Sequence, residues 1–135
     1  MTQNEKELLL KDLCARLPYG VEVEYKSIAC EVLLIDKYNE ELTIRVCPGY
    51  SPDVKLEDCK PYLFPLSSMT EEQIQEYTYI VNYISSDDTE NWVEGEFIYV
   101  EQFTQLMHFY HINHLDYMGL IPMGLANDAT GLNIY

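Results

Sequence analysis

From Pro61 to Tyr135 the chain has no lysine and no arginine. This absence excludes a basic stripe over more than half of the sequence. Direct binding to nucleic acid or to an anionic membrane goes with it, since nothing there would displace counterions. Long apolar runs are missing too. The longest aliphatic one is Val32-Leu33-Leu34-Ile35, far below the roughly 20 residues that a spanning helix needs. The N-terminal stretch Met1-Thr2-Gln3-Asn4-Glu5-Lys6 is polar and has no signal-peptide pattern. A soluble, cytoplasmic protein is expected. The cysteines, at 14, 30, 47 and 59, are never closer than twelve residues, so no CxxC knuckle exists. Their even number permits disulfides, but a cytosolic chain keeps its thiols reduced. Cys14, Cys30 and Cys47 each lie in or beside an apolar stretch and read as small buried hydrophobes. The six glycines are scattered, which leaves no phosphate-cradling loop.

What is present is a foldable chain of 135 residues, 47% hydrophobic and 13% aromatic. That composition excludes the disordered acidic class and fits one globular domain, residues 1–135. Twelve tyrosines are the unusual component. Their ordinary role is to close the edge of a core with the hydroxyl on water or on a partner. All eight basic residues fall between Lys6 and Lys60, against twelve acidic ones; eleven more carboxylates follow. The two parts therefore hold −4 and −11 of the net charge of −15.

Along the chain, Leu9, Leu10, Leu13 and Leu17 recur at helical spacing and predict a helix over about 4–16, capped by Thr2 or Asn4. Pro18-Tyr19-Gly20 ends it. Val21–Tyr25 alternates, Ile28–Lys37 reads as a more buried strand, and Leu42–Val46 alternates again: a three-stranded antiparallel meander. Pro48–Pro52 reads as a loop, and Lys60–Pro65 as a proline-stiffened extended piece. Thr70-Glu71-Glu72-Gln73 is a capping-box pattern for a helix running to about Ile84, with Ile74, Tyr77, Ile80, Val81 and Ile84 on one stripe. An acidic loop, Ser85–Asn91, follows. A last helix over about 97–113 is expected to turn Val100, Phe103, Leu106, Met107 and Tyr110 inward. The apolar tail with Gly119, Pro122 and Gly124 reads as an irregular clamp. The fold class is α+β: a small antiparallel sheet of about three strands, three helices and an irregular C-terminal tail.

Candidate chemistry is sparse. His108, His111 and His114 form an HxxHxxH array that Asp116 could join in a metal site. On a continuing helix, positions six apart lie about 9 Å apart along the axis and on different faces. The ordinary reading is polar or capping histidines at a helix C-terminus. No cysteine neighbours a histidine, and no serine has an elbow motif. The pairs Glu71-Glu72 and Asp87-Asp88 read as capping and solvated carboxylates and not as an acid–base couple. Asp87, Asp88 and Glu90 lack the spacing of a calcium loop. No catalytic residue and no cofactor are expected.

Three segments, Leu13–Val21 (LCARLPYGV), Lys60–Glu72 (KPYLFPLSSMTEE) and His114–Ala126 (HLDYMGLIPMGLA), carry a resemblance. Together and in this order they resemble a group of short uncharacterised proteins of Bacteroides-type gut bacteria and their phages. That group has no assigned activity, so the resemblance implies no catalytic residues. Its middle motif often carries a basic residue where this chain has Phe64, and the acidity is therefore particular to this member.

The functional expectation is a non-catalytic acidic interaction module that imitates the phosphates of a duplex. It would inhibit a basic nucleic-acid-binding protein such as a defence nuclease, in the manner of anti-CRISPR or anti-restriction proteins. Its partner-binding residues would be Glu71, Glu72, Glu76, Asp87, Asp88, Glu90, Glu94 and Glu96. The alternatives are a metal-binding protein or enzyme built on His108, His111, His114 and Asp116, and an oligomeric accessory protein whose tail packs on a neighbour.

Overall fold

The structure, a computed structural model, describes the backbone of residues 1–85 and 92–135 and the side chains of residues 1–82 and 101–135. Thr2 opens the first helix with a full capping box. Its hydroxyl accepts from Glu5 N–H, and the Glu5 carboxylate accepts from Thr2 N–H. Helix α1 runs Gln3–Arg16 and turns Leu9, Leu10 and Leu13 inward. A short tight turn, Leu17–Tyr19, ends at Gly20, whose φ of 82° is open to glycine alone at low cost.

The predicted meander is present as β1 (Glu22–Tyr25), β2 (Ile28–Asp36) and β3 (Glu41–Arg45). Lys26 and Ser27, both at positive φ, make the two-residue turn between β1 and β2. Strand β2 is less buried than its composition suggests. Cys30 and Val32 face the core while Leu34 is left exposed beside a bulge.

The sheet is larger than expected and only partly antiparallel. Six strands stand in the order β4-β3-β2-β1-β5-β6. Strands β4 (Asp53–Lys55) and β5 (Lys60–Leu63) extend it antiparallel on both sides, and β6 (Asn127–Asp128) adds to β5 in parallel. These extra strands have two to four residues, and β5 contains Pro61. Such pieces show no period that could be read locally, and long-range pairing alone makes them strands.

Helix α1 covers one face of the sheet. Its leucines meet Val21, Val23, Val32, Leu42 and Ile44, and the tail closes the same core with Leu120, Leu125 and Ala126. The tail thus packs on its own sheet, as an irregular clamp would. Cys59 also joins this core, whereas Cys47 is exposed, the reverse of its sequence reading; all four cysteines are free thiols. Burial, with Asp58 nearby, pushes the Cys59 thiol up to about 11.

Helices α2 (Glu71–Ser85) and α3 (Trp92–Ile112) pair as a hairpin. Thr70 caps α2 as predicted, its hydroxyl accepting from Gln73 N–H while the Gln73 amide accepts from Thr70 N–H. The hairpin has a small core of its own: Ile80, Phe109 and Leu115, flanked by Phe64, Tyr77, Leu106 and Tyr110. Two expectations fail here. Ile74 and Phe103 are each about half exposed, and Phe109 is the aromatic fully buried in the described part of α3. Val100 and Ile84 lie outside the described side chains.

A buried polar cluster joins the two lobes. Arg16, 0% exposed, pairs with Asp12, 1% exposed, at 2.7 Å across one turn of α1. Its second arm donates to the carbonyl of Leu115 at 2.6 Å, and the guanidinium lies 5.2 Å from the centre of the Tyr117 ring. Replacing Arg16 by Met strands a buried carboxylate, and urea denaturation should show a loss of about 3–5 kcal/mol. The double variant Asp12→Leu/Arg16→Met, which removes both charges, should recover most of that loss.

Candidate partner-binding surface

Residues 71–112 hold nine of the eleven carboxylates of the second part and no lysine or arginine. The helical hairpin is therefore the acidic lobe. Glu71, Glu72 and Glu76 are exposed along α2, and Glu101 is exposed on α3. Glu71 and Glu72 stand in the first turn of α2, where the helix dipole favours them. Of the other residues expected to bind a partner, Asp87, Asp88 and Glu90 lie outside the described residues. Glu94 and Glu96 fall within α3, but their side chains lie outside the description. Two later carboxylates belong elsewhere. Asp116 is buried and accepts from Leu120 N–H and Ile121 N–H, which bends the tail back onto the core. Asp128 is held in its own turn by Thr130.

The basic residues do not offset this lobe through any ion pair among the described residues. Lys6 pairs with Glu40 and Glu57, Arg45 with Glu31, and Arg16 with Asp12. Every one of those partners precedes Lys60. The three cations that form ion pairs among the described residues form them within the sheet-and-α1 part, and none pairs with a hairpin carboxylate.

The histidines diverge. His108 Nδ1 lies 3.2 Å from the Tyr19 hydroxyl, and His111 Nε2 lies 2.9 Å from the Tyr117 hydroxyl. The Tyr19 ring touches both imidazoles, with centroid separations of 5.4 and 5.3 Å. His114 leaves the helix altogether. It takes φ of 55° just past α3, where Leu115 N–H reaches the Tyr110 carbonyl and His114 N–H the His111 carbonyl. That is a Schellman cap with histidine in the position usually given to glycine. The ring stacks on Tyr135 at 3.5 Å and 9°, and this packing offsets the backbone strain. Among the described residues, no group of three His, Cys, Asp or Glu side chains is placed to hold a metal ion. His108, His111, His114 and Asp116 each have a separate structural role.

The hairpin and the end of α1 face each other across an open cleft of about 1220 Å³, walled by Pro18, Tyr19, Glu76, Tyr79, Phe103 and His108. Sequence reasoning missed this feature. Phe103 has the spacing of a core residue, and nothing local distinguishes a helix face turned to a cleft from one turned to a core.

Compared with family models, with curated proteins and with solved structures, the chain matches none.

Two outcomes follow from the histidines. Burial, assisted by the Arg16 charge, holds the His114 imidazole down at about 4 and lowers His111 as well. In the unfolded chain both take up a proton near pH 6.5. The unfolded state therefore binds more protons between about pH 6.5 and 4, so stability is complete above that window and declines as pH falls through it. Urea midpoints from pH 7 to pH 4.5 should fall more steeply for the wild type than for His114→Asn, which suits the same backbone conformation. Elemental analysis should find no stoichiometric metal, and a chelator should leave the Tm unchanged.

Proposed function

We propose that this protein is a non-catalytic, cytoplasmic acidic interaction module that binds a basic protein. Its carboxylate-covered hairpin stands in for the phosphates of a duplex, and its target is a nucleic-acid-binding protein such as a defence nuclease, inhibited in the manner of anti-CRISPR or anti-restriction proteins. The resemblance to short proteins of gut bacteria and their phages is in keeping with such a target.

One observation carries this reading: Glu71, Glu72, Glu76 and Glu101 are exposed on a hairpin whose sequence, residues 71–112, holds nine carboxylates and no lysine or arginine, while the ion pairs among the described residues all lie elsewhere. Such segregation gives a one-sided field. It steers a positive partner over distances up to the Debye length, about 8–10 Å at ordinary salt. At contact, lysines and arginines of the partner replace its own counterions or nucleic acid. Helices suit the role because they hold Glu71, Glu72 and Glu76 at fixed separations, so little side-chain ordering remains to be done on binding.

Affinity capture from a lysate at 50 and 300 mM salt tests the reading. Basic nucleic-acid-binding proteins should be retained at low salt and fall by about tenfold or more at high salt. Reversal of Glu71, Glu72 and Glu76 to lysine should abolish retention, and so should reversal of Asp87, Asp88 and Glu90. Retention that ignores both salt and charge reversal would rule the mimic out.

A further inference from the structure

The cleft between α1 and the hairpin combines features that an acidic surface alone does not require. Its aromatic walls stand open: Tyr79 is 67% and Phe103 is 50% exposed. Ile80 and Met107 continue the lining as an apolar floor. Glu76 contributes a carboxylate at the wall, and the lining contains no lysine or arginine. Large aromatics left half in water on a helix pair mark a contact surface.

Three occupants compete. The chain's own tail is engaged elsewhere, since the Tyr135 hydroxyl donates to the Tyr62 carbonyl and accepts from Glu22 N–H. A second copy would bring another −15 against a wall that is already acidic, and like charges at close quarters disfavour it. A positively charged partner meets no such penalty. Apolar anchors of a partner helix, at positions i, i+3, i+4 and i+7, would then enter the aromatic walls. Lysines and arginines on the flanks would reach Glu76 and the other exposed carboxylates of α2, and could lie against the faces of Tyr79 and Phe103.

We propose that this cleft docks an amphipathic basic helix of the partner protein, apolar stripe inward and cationic flanks on the α2 carboxylates. The inference rests on the acidic-module reading and names how its partner is gripped. It separates the two tasks of recognition: the carboxylates attract, and the aromatic cleft selects for shape.

The probe is a labelled 18-residue helix of leucine and lysine, with leucines at i, i+3, i+4 and i+7. A second peptide has the same composition permuted to remove the stripe, and a third has glutamate in place of lysine. Fluorescence anisotropy should give saturable one-to-one binding for the first peptide, at least tenfold weaker binding for the permuted one, and none for the acidic one. Backbone NMR shifts should cluster at Tyr19, Glu76, Tyr79, Phe103 and His108. Tyr79→Ser and Phe103→Ser change half-open positions, and circular dichroism should show them folded. Each should weaken the striped peptide at least tenfold, while Glu76→Gln should weaken it a few-fold and flatten its salt dependence. Equal binding of the permuted peptide, shifts centred elsewhere, or indifference to both serine variants would overturn the proposal. So would a wild-type dimer in sedimentation that Phe103→Ser dissociates. A basic protein captured equally by Phe103→Ser and by the wild type would remove the cleft but leave the acidic module in place. Capture that survives charge reversal of α2 would remove the module itself.

Discussion

The Arg16 guanidinium is the joint of this molecule. It belongs to the sheet-and-α1 lobe by covalent position and by its pair with Asp12, and to the hairpin lobe by its bond to the Leu115 carbonyl. A bare guanidinium in a protein interior is very unfavourable, so it persists there only because the carboxylate, a carbonyl and the Tyr117 face surround it. Those partners come from both ends of the chain. They hold the segment after α3 in one place, and from there Asp116 gathers the tail and His114 meets Tyr135. With that joint set, the distance between α1 and the hairpin is set as well, and so is the cleft.

Charge is arranged by lobe. Lys6, Arg16 and Arg45 find their carboxylates within the first sixty residues. The hairpin has no cations to offer and faces water with carboxylates. Among the described side chains, a small core of Ile80, Phe109 and Leu115 lies where the two helices meet the rest of the molecule. Ile74, Tyr79 and Phe103 stay outside it. An acidic lobe with partly exposed aromatics is poorly suited to meeting its own copy and well suited to meeting a basic, amphipathic surface.

The elements with a local code were legible. Thr2 and Thr70 each announce a helix through a polar side chain that returns to the backbone three residues on, and the alternation in β1 and β3 marks a sheet half open to water. Elements without such a code were not. Asp53–Lys55 and Asn127–Asp128 become strands because β3 and β5 pass beside them. Lys60–Pro65 reads as extended, yet nothing in it reveals that Lys60–Leu63 will lie between β1 and β6. The HxxHxxH spacing suggested proximity that the Schellman turn at His114 removes. The cleft had no signal at all, because its walls join the end of α1 to the α2–α3 hairpin, a segment distant from it in the chain.

Composition and order along the chain were enough to place the charge. Where lysine and arginine stop, no folding event can return them covalently, and the acidity of residues 71–112 follows from that alone. Helix starts followed too, since capping acts over three or four residues. Which carboxylates meet water, which histidine faces which tyrosine and whether Phe103 lines a core or an opening all depended on contacts between distant segments. Those contacts are chosen by packing and by the demand that a buried guanidinium be surrounded, and neither is expressed in any short window of residues.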